Sequence, residues 1–241
     1  HSTPGRLFAF ARRRAMGREL RPLLSRLAPG SVVADVGAGD GSLVGYVASR
    51  GFPVAAIDVY PADEWGRGAI PYRQYTPGAP IGPVLDELGR IDAVVMRHVL
   101  EHLPDPVATL RELAGHGVRW VWVIVPNAGS ALRRVQGANW YYWDPPRHLT
   151  FFTPPSLHAI AGRSGYRIAT ESTAGLDEVV TGIHRAALLR HRRRPSRALA
   201  RLADACHPTR LLAGVSSALA APLANTVCTV LMELGEAEDT A

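Results

Sequence analysis

The chain has 241 residues, enough for one large domain or a domain with an extension, and it is 47% hydrophobic and 20% charged, as folded globular proteins are. That balance is too apolar for intrinsic disorder and too polar for a multi-span membrane protein. The formal net charge is +6 and every one of the 27 basic residues is arginine, while the two cysteines, Cys206 and Cys228, exclude a disulfide framework and a four-thiolate metal site.

Residues 1–30 carry Arg6, Arg12, Arg13, Arg14, Arg18 and Arg21 between Leu7, Phe8, Phe10, Met16, Leu20, Leu23 and Leu24. The pattern predicts a basic amphipathic helix and contains no apolar core of signal-peptide length, so a cytoplasmic protein is the expectation. From residue 31 to about 175 short apolar runs alternate with helical stretches. This is the signature of a mostly parallel sheet with helices on both faces. Strands are predicted at Val32–Val36, Val54–Asp58, Tyr72–Tyr75 (the weakest), Ala93–Met96, Trp120–Val125 and Arg167–Ser172. Helices are predicted at 42–50, 84–89, 105–115 and 154–164; Pro104 and Pro106 bracket the start of the third, and Gly165 ends the fourth. Residues 126–150 are aromatic, proline-containing and too long for a routine connection, which marks a functional loop.

Beyond about residue 176 the rhythm stops. An arginine-rich helical segment runs through Arg190–Pro195, followed by the uncharged stretch Leu211–Met232. Residues 176–241 therefore read as a basic, then apolar, helical extension packing on the core. Gly214, Ser216, Ser217, Asn225, Thr226 and Thr229 weaken the apolar drive of that stretch, and Pro222 would break a spanning helix. Two short elements split near Pro222 are expected instead, packed on the core or on a second subunit. The basic segment before them is a candidate for contact with an anionic surface or an acidic substrate group.

The strongest chemical signal is the run Val33–Gly41, an apolar strand leading through Asp35, Gly37, Ala38, Gly39 and Gly41 into a helix. Glycines let the backbone turn sharply and approach a ligand at a helix start. A dinucleotide fingerprint needs G-x-G-x-x-G, whereas the spacing here is G-x-G-x-G, with Ser42 at the third fingerprint position. A carboxylate at Asp35 would repel a pyrophosphate but suits an ammonium group. Asp58 follows 21 residues after Gly37 at a strand end, where an acidic side chain can hold ribose hydroxyls. An amino group, a ribose and no phosphate describe S-adenosylmethionine.

The chain thus resembles the class I S-adenosylmethionine-dependent methyltransferases. The resemblance rests on Asp35–Gly39, on Asp58, and on the segment from Ile91 through Leu100-Glu101-His102-Leu103-Pro104-Asp105-Pro106. This last segment, with Asp144-Pro145-Pro146-Arg147-His148-Leu149, is similar to the branch of ubiquinone-biosynthesis O-methyltransferases and bacterial sugar and natural-product methyltransferases. It implies a Rossmann-like, seven-strand-type α/β sheet. That family closes its sheet with an antiparallel strand soon after the sixth; here the last strand falls at Thr226–Leu231 or is missing.

The resemblance also implies roles. Asp35 would pair with the methionine amino group, Gly37, Ala38, Gly39 and Gly41 would give backbone approach, and Asp58 would hold the ribose. Val59 would pack on the adenine, Tyr75 would meet its edge or face, and Arg97 and His98 would stand beside the sulfonium. Glu101 reads as a helix-start hydrogen-bonding residue. Methyl transfer mainly requires alignment, with a base needed where the nucleophile is an alcohol. His148 is the favoured base and His98 the second candidate, with Asp144 a candidate to orient His148. Trp140, Tyr141, Tyr142 and Trp143, with Phe151 and Phe152, suggest a lid or acceptor wall, or else a loop anchored by its own aromatics. Magnesium chemistry of the catechol type is not expected, because no carboxylate cluster can be assembled. The expected activity is O-methylation of a small molecule such as a sugar, a quinone-like phenol or a polyketide, yielding S-adenosylhomocysteine. N-methylation is an alternative, and a non-catalytic cofactor-binding subunit is one of another class; a homodimer is possible. A nucleic-acid methyltransferase is suggested by the pI of 9.9. It is disfavoured because Arg147 replaces the aromatic residue of a D-P-P-aromatic motif and no RNA-binding module is visible.

Overall fold

The computed structural model describes residues 3–60, 70–140, 142–174 and 227–235. The chain runs α1 (Thr3–Leu24), β1 (Val33–Val36), α2 (Ser42–Ala48), β2 (Val54–Asp58), β3 (Tyr72–Gln74), α3 (Gly82–Leu88), β4 (Ala93–Arg97), α4 (Pro106–Gly115), β5 (Trp120–Pro126), α5 (Ala131–Gln136), α6 (Pro154–Arg163), β6 (Tyr166–Ala174) and β7 (Val227–Leu234). The strands form one sheet of order β3-β2-β1-β4-β5-β7-β6. All neighbours are parallel except β7, which runs antiparallel to both β5 and β6. The order reverses between β1 and β4, so a crevice opens at their carboxyl ends.

Every residue of β1 and β5 is buried, as expected of strands covered on both faces. The two faces follow the period of two along each strand. Ala34, Val36, Val94, Met96, Val121 and Val123 pack towards Leu85, Leu110, Leu113 and Leu157 of α3, α4 and α6. Val33, Ala93, Val95, Trp122 and Ile124 pack towards Leu43 and Val47 of α2 and Met16, Leu20 and Leu23 of α1. Full burial of each such leucine contributes roughly 1.5–3 kcal/mol. α4 begins where Asp105 accepts a hydrogen bond from Ala108 N (2.9 Å), with Pro106 preset for the first turn. A reciprocal Thr153–Ser156 capping box starts α6.

The expected strands and helices are present to within a few residues, and residues 126–150 contain α5 and a short 3-10 turn, Gly137–Asn139. Of the two alternatives for the last strand, the one at Thr226–Leu231 agrees with the structure: Val227–Leu234 is a full strand wedged between β5 and β6, so the last part of the uncharged stretch belongs to the sheet and does not pack on it as an extension. Cys228, Val230 and Met232 enter one core face and Val227 and Leu231 the other. A strand buried on both sides reads in sequence as an unbroken apolar run, which periodicity cannot separate from a helix. The domain boundary at 175, the arginine-rich helical segment and the split near Pro222 lie outside the described residues. Among the described residues no helix is long and apolar enough to cross a membrane.

Candidate functional site

The crevice at the carboxyl ends of β1, β2 and β4 is built around the glycine turn. Gly37 and Gly39 have φ of +77° and +51°, where a side chain is strained. A Cβ on Gly37 would also stand 2.4 Å from Val99 Cγ2, so the turn is in contact with the segment that follows β4. Gly37 N donates to Ile57 O (2.8 Å), tying the turn to β2.

Asp35 sits at the third position of β1 with only 4% of its surface exposed. No described residue makes a hydrogen bond to its carboxylate. Burial pushes its carboxyl up to about 8; the charges of Asp58 and Asp40 add to this and Arg97 opposes it. A buried carboxylate held in its neutral form by its surroundings regains its charge when a cation arrives beside it. The Asp58 carboxylate accepts from Gly39 N (2.6 Å) and Val59 N (2.7 Å), which fixes it at the tip of β2 against the glycine turn. Beyond it Val59 and Tyr60 are 45% and 59% exposed, an apolar surface beside a polar anchor.

Tyr75 does not line this crevice. It is buried in the core with Ile81 and Leu85, and its hydroxyl donates to Ala79 O (3.1 Å), so neither ring face is left for an adenine. Burial raises its phenol above the ordinary range. Arg97 closes β4 and pairs with Glu19 of α1 (3.3 Å), which brings the N-terminal helix to the rim.

His98 is the one described non-glycine residue at positive φ, 55°, a strained conformation that is typical of functional turns. Its Nδ1 lies 3.2 Å from Glu101 Oε1, and its ring runs nearly parallel to that of Tyr142, 6.2 Å away. Glu101 is 1% exposed and lies in a 3-10 turn, Leu100–His102. It does not serve the start of α4, which Asp105 caps; its carboxylate faces His98, and its Oε2 is buried without a hydrogen-bond partner among the described residues. The loop after β5 is laced onto this turn: Leu149 N and Thr150 N donate to Glu101 O (2.8 and 3.2 Å), and the Nδ1 of His102 meets Arg147 O (2.8 Å).

His148 is positioned by backbone. Its Nδ1 meets Tyr142 O (2.9 Å), and its amide donates to Asp144 O (3.0 Å). The Asp144 carboxylate pairs with Arg147 and so does not orient the imidazole. The His148 ring stands edge-on to that of His102 at 4.7 Å. Glu101, His102 and His148 each bring a potential ligand atom within 4.8 Å of the others. His102 was not a sequence candidate, because a contact spanning 45 residues through a carbonyl has no local pattern.

The aromatic loop is largely its own core. Trp140 is buried, with Tyr142 and Trp143 each 5.4 Å away edge-on, and Trp143 Nε1 donates to Gly137 O (3.0 Å). Trp140 is thus an anchor and no acceptor wall, because its faces are used within the loop. Tyr142 is buried too but faces the histidines, and Tyr141 lies outside the described residues. On α5, both polar atoms of the Gln136 amide are buried without a partner among the described residues, a further polar group that sequence did not single out.

A family model described as "Methyltransferase domain" matches residues 8–171. The ubiquinone biosynthesis O-methyltransferase of Chromobacterium violaceum is 29% identical over 62% of this chain and 70% of its own length. An S-adenosylmethionine-dependent methyltransferase from Archaeoglobus fulgidus superposes with a TM-score of 0.55 at 17% identity, covering 92% of this chain and 94% of that one. Magnesium protoporphyrin IX methyltransferase from Synechocystis, solved with bound S-adenosylhomocysteine, gives 0.52 at 19% identity, covering 68% and 78%. These two structural likenesses concern the fold.

Proposed function

The chain belongs to the methyltransferase-domain family, and from that premise we propose that it transfers the methyl group of S-adenosylmethionine to a hydroxyl of a small molecule. The observation that carries the cofactor is Asp35: a buried carboxylate lacking a hydrogen bond among the described residues, at the end of a strand whose glycine turn has no room for a side chain. That site fits a ligand with an ammonium group that must come close to backbone. Asp35 would hold the ammonium, Asp58 the ribose hydroxyls, and the exposed Val59 and Tyr60 would cover the base. The bound cofactor supplies a methyl group activated by sulfonium.

This chain's own part is alignment and handling of the acceptor proton. His148 presents an imidazole whose Nδ1 is committed to Tyr142 O, which leaves Nε2 to receive a proton from an alcohol. Tyr142, whose ring runs nearly parallel to those of His98 and His148, would contact the acceptor. The similarity to an O-methyltransferase supports oxygen as the nucleophile. Calorimetry with S-adenosylhomocysteine tests the reading: Asp58→Ala should weaken binding by roughly 1–3 kcal/mol. NAD should give no heat. Unchanged affinity in both Asp35→Ala and Asp58→Ala would defeat the assignment, and a one-methyl mass shift across a panel of hydroxylated metabolites identifies the acceptor class.

A further inference from the structure

We propose that Arg133 and Gln136 of α5 form a subsite for a carboxylate with a hydroxyl on a neighbouring carbon, on a part of the acceptor remote from the methylated oxygen. The proposal rests on the acceptor reading above. α5 follows β5 at the carboxyl end of the sheet, the end at which the crevice opens. Its start is fixed by Ser130, whose hydroxyl accepts from Arg133 N (3.1 Å), and its end by Gly137 N, which donates to Arg133 O. Residues 133 and 136 are three apart, so they share one helix face with their Cβ atoms about 5–6 Å apart.

That face is polar where it is buried. Arg133 Nε and both Nε2 and Oε1 of Gln136 are buried without a hydrogen-bond partner among the described residues. Interior polar atoms are nearly always paired, because an unpaired one loses its hydration and gains nothing in return. Three of them on one turn of helix fit a polar group brought by a ligand. Aromatic rings back this face: the Arg133 guanidinium lies over the Trp143 ring (5.4 Å to the centroid), and Trp143 Nε1 donates to Gly137 O (3.0 Å), next to Gln136. The Trp143 ring stands edge-on to Phe151 at 4.5 Å, and Phe151 edge-on to His148 at 6.4 Å. Two ring contacts therefore connect the polar face to the proposed base, which suits an acceptor longer than a single ring.

The donor set selects the ligand. A guanidinium edge offers Nε–H and a parallel terminal N–H, a fork that fits carboxylate or phosphate. The Gln136 amide discriminates between them, since its Nε2 donates and its Oε1 accepts. A phosphate dianion offers acceptors alone and would set another oxygen lone pair against Oε1. A carboxylate flanked by a hydroxyl satisfies all three atoms: its oxygens accept from Arg133 and Gln136 Nε2, and the hydroxyl donates to Gln136 Oε1. Binding there, away from the reacting oxygen, holds the acceptor in line with the methyl group. Sugar acids and aromatic hydroxy acids both present this chemistry.

The test uses the full chain, with glucuronate and mandelate as probes and binding read by ligand-observed NMR titration. At least one probe should bind about tenfold more tightly than its uncharged amide, and the one that does so identifies the source. Arg133→Gln should erase this preference. Arg133→Lys, which keeps the charge without the fork, takes its place if Arg133→Gln alters the thermal melt, and should cut the preference to about threefold or less. Gln136→Met should weaken the hydroxy acid about fivefold and leave the matching acid without hydroxyls unchanged, tetrahydropyran-2-carboxylate for glucuronate and phenylacetate for mandelate. Arg134→Gln is the control: that side chain is exposed, reaches Gly129 O at 3.4 Å, and its loss should change nothing. No binding of either acid, equal binding of acid and amide, or a preference that survives both Arg133 variants overturns the subsite. S-adenosylhomocysteine affinity in the same samples separates the two readings. Acid preference without cofactor binding keeps the subsite and sinks the cofactor assignment, and the reverse result sinks the subsite alone.

Discussion

On the proposed reading, Asp35 couples folding to ligand binding at a single carboxyl group. Its folded value of about 8 lies far above the ordinary 3.8, so between those limits the folded chain binds a proton that the unfolded chain does not. Its contribution to stability is therefore complete below pH 4 and lost as pH rises through 8. Asp35→Asn removes this titration, so thermal melts of the ligand-free variant should exceed wild type at pH 8–9 and lose the corresponding slope. Cofactor binding should show the opposite dependence. Pairing with an ammonium needs the ionised carboxylate, so wild-type affinity should rise about tenfold per pH unit towards pH 8 and then level. Calorimetry across pH 6–9 measures this, and a flat profile in wild type would remove the ammonium from Asp35. On the proposed reading, position 35 gives up ligand-free stability for a binding charge, the usual balance at functional sites.

At the level of elements, the turn between β1 and α2 and the turn after β4 are one unit, because Gly37 and Val99 meet without space for a methyl. Gly37→Ala meets both strain at φ +77° and a 2.4 Å contact. It should cost roughly 1–3 kcal/mol of stability in denaturant melts and abolish most cofactor binding. Adding Val99→Ala should recover part of the stability but not of the binding; full recovery of both would mean the turn's shape is not what the ligand reads. The glycine turn was legible in sequence because glycine spacing, the strand before it and the carboxylates at 35 and 58 are all local. The histidine cluster was only half legible. His148 and His98 stood out as residue types, but Glu101 reads as an ordinary helix-start residue, and its inward direction comes from a 3-10 turn. What makes His102 and His148 comparable is the pair of carbonyls beneath them, and backbone partners leave no residue-type trace. Tyr75 misled for the reverse reason: its position in the chain suited a ligand contact, but its hydroxyl found Ala79 O within the same loop.

For the molecule as a whole, the basic charge and the uncharged stretch at 211–232 raise the question of a membrane, and β7 bears on it. Residues 227–232 are committed to ladders with both β5 and β6, and β7 is the antiparallel link joining those two strands. Extracting β7 into a bilayer would open both neighbours and expose their unpaired backbone groups, which is unfavourable in lipid. What remains uncharged, residues 211–226, is shorter than the roughly 20 residues a spanning helix needs and contains Pro222. The basic charge is a separate matter. On α1, Arg14, Arg18 and Arg21 are exposed opposite the buried Met16, Leu20 and Leu23, a face suited to electrostatic adsorption on anionic surfaces, which salt screens within about 10 Å at 0.1 M. Flotation with anionic vesicles should therefore show partial association at low salt, lost at high salt and reduced by replacing Arg14 and Arg18 with glutamine. Flotation that resists salt and disappears when residues 211–226 are deleted would instead place an apolar anchor in the stretch before β7.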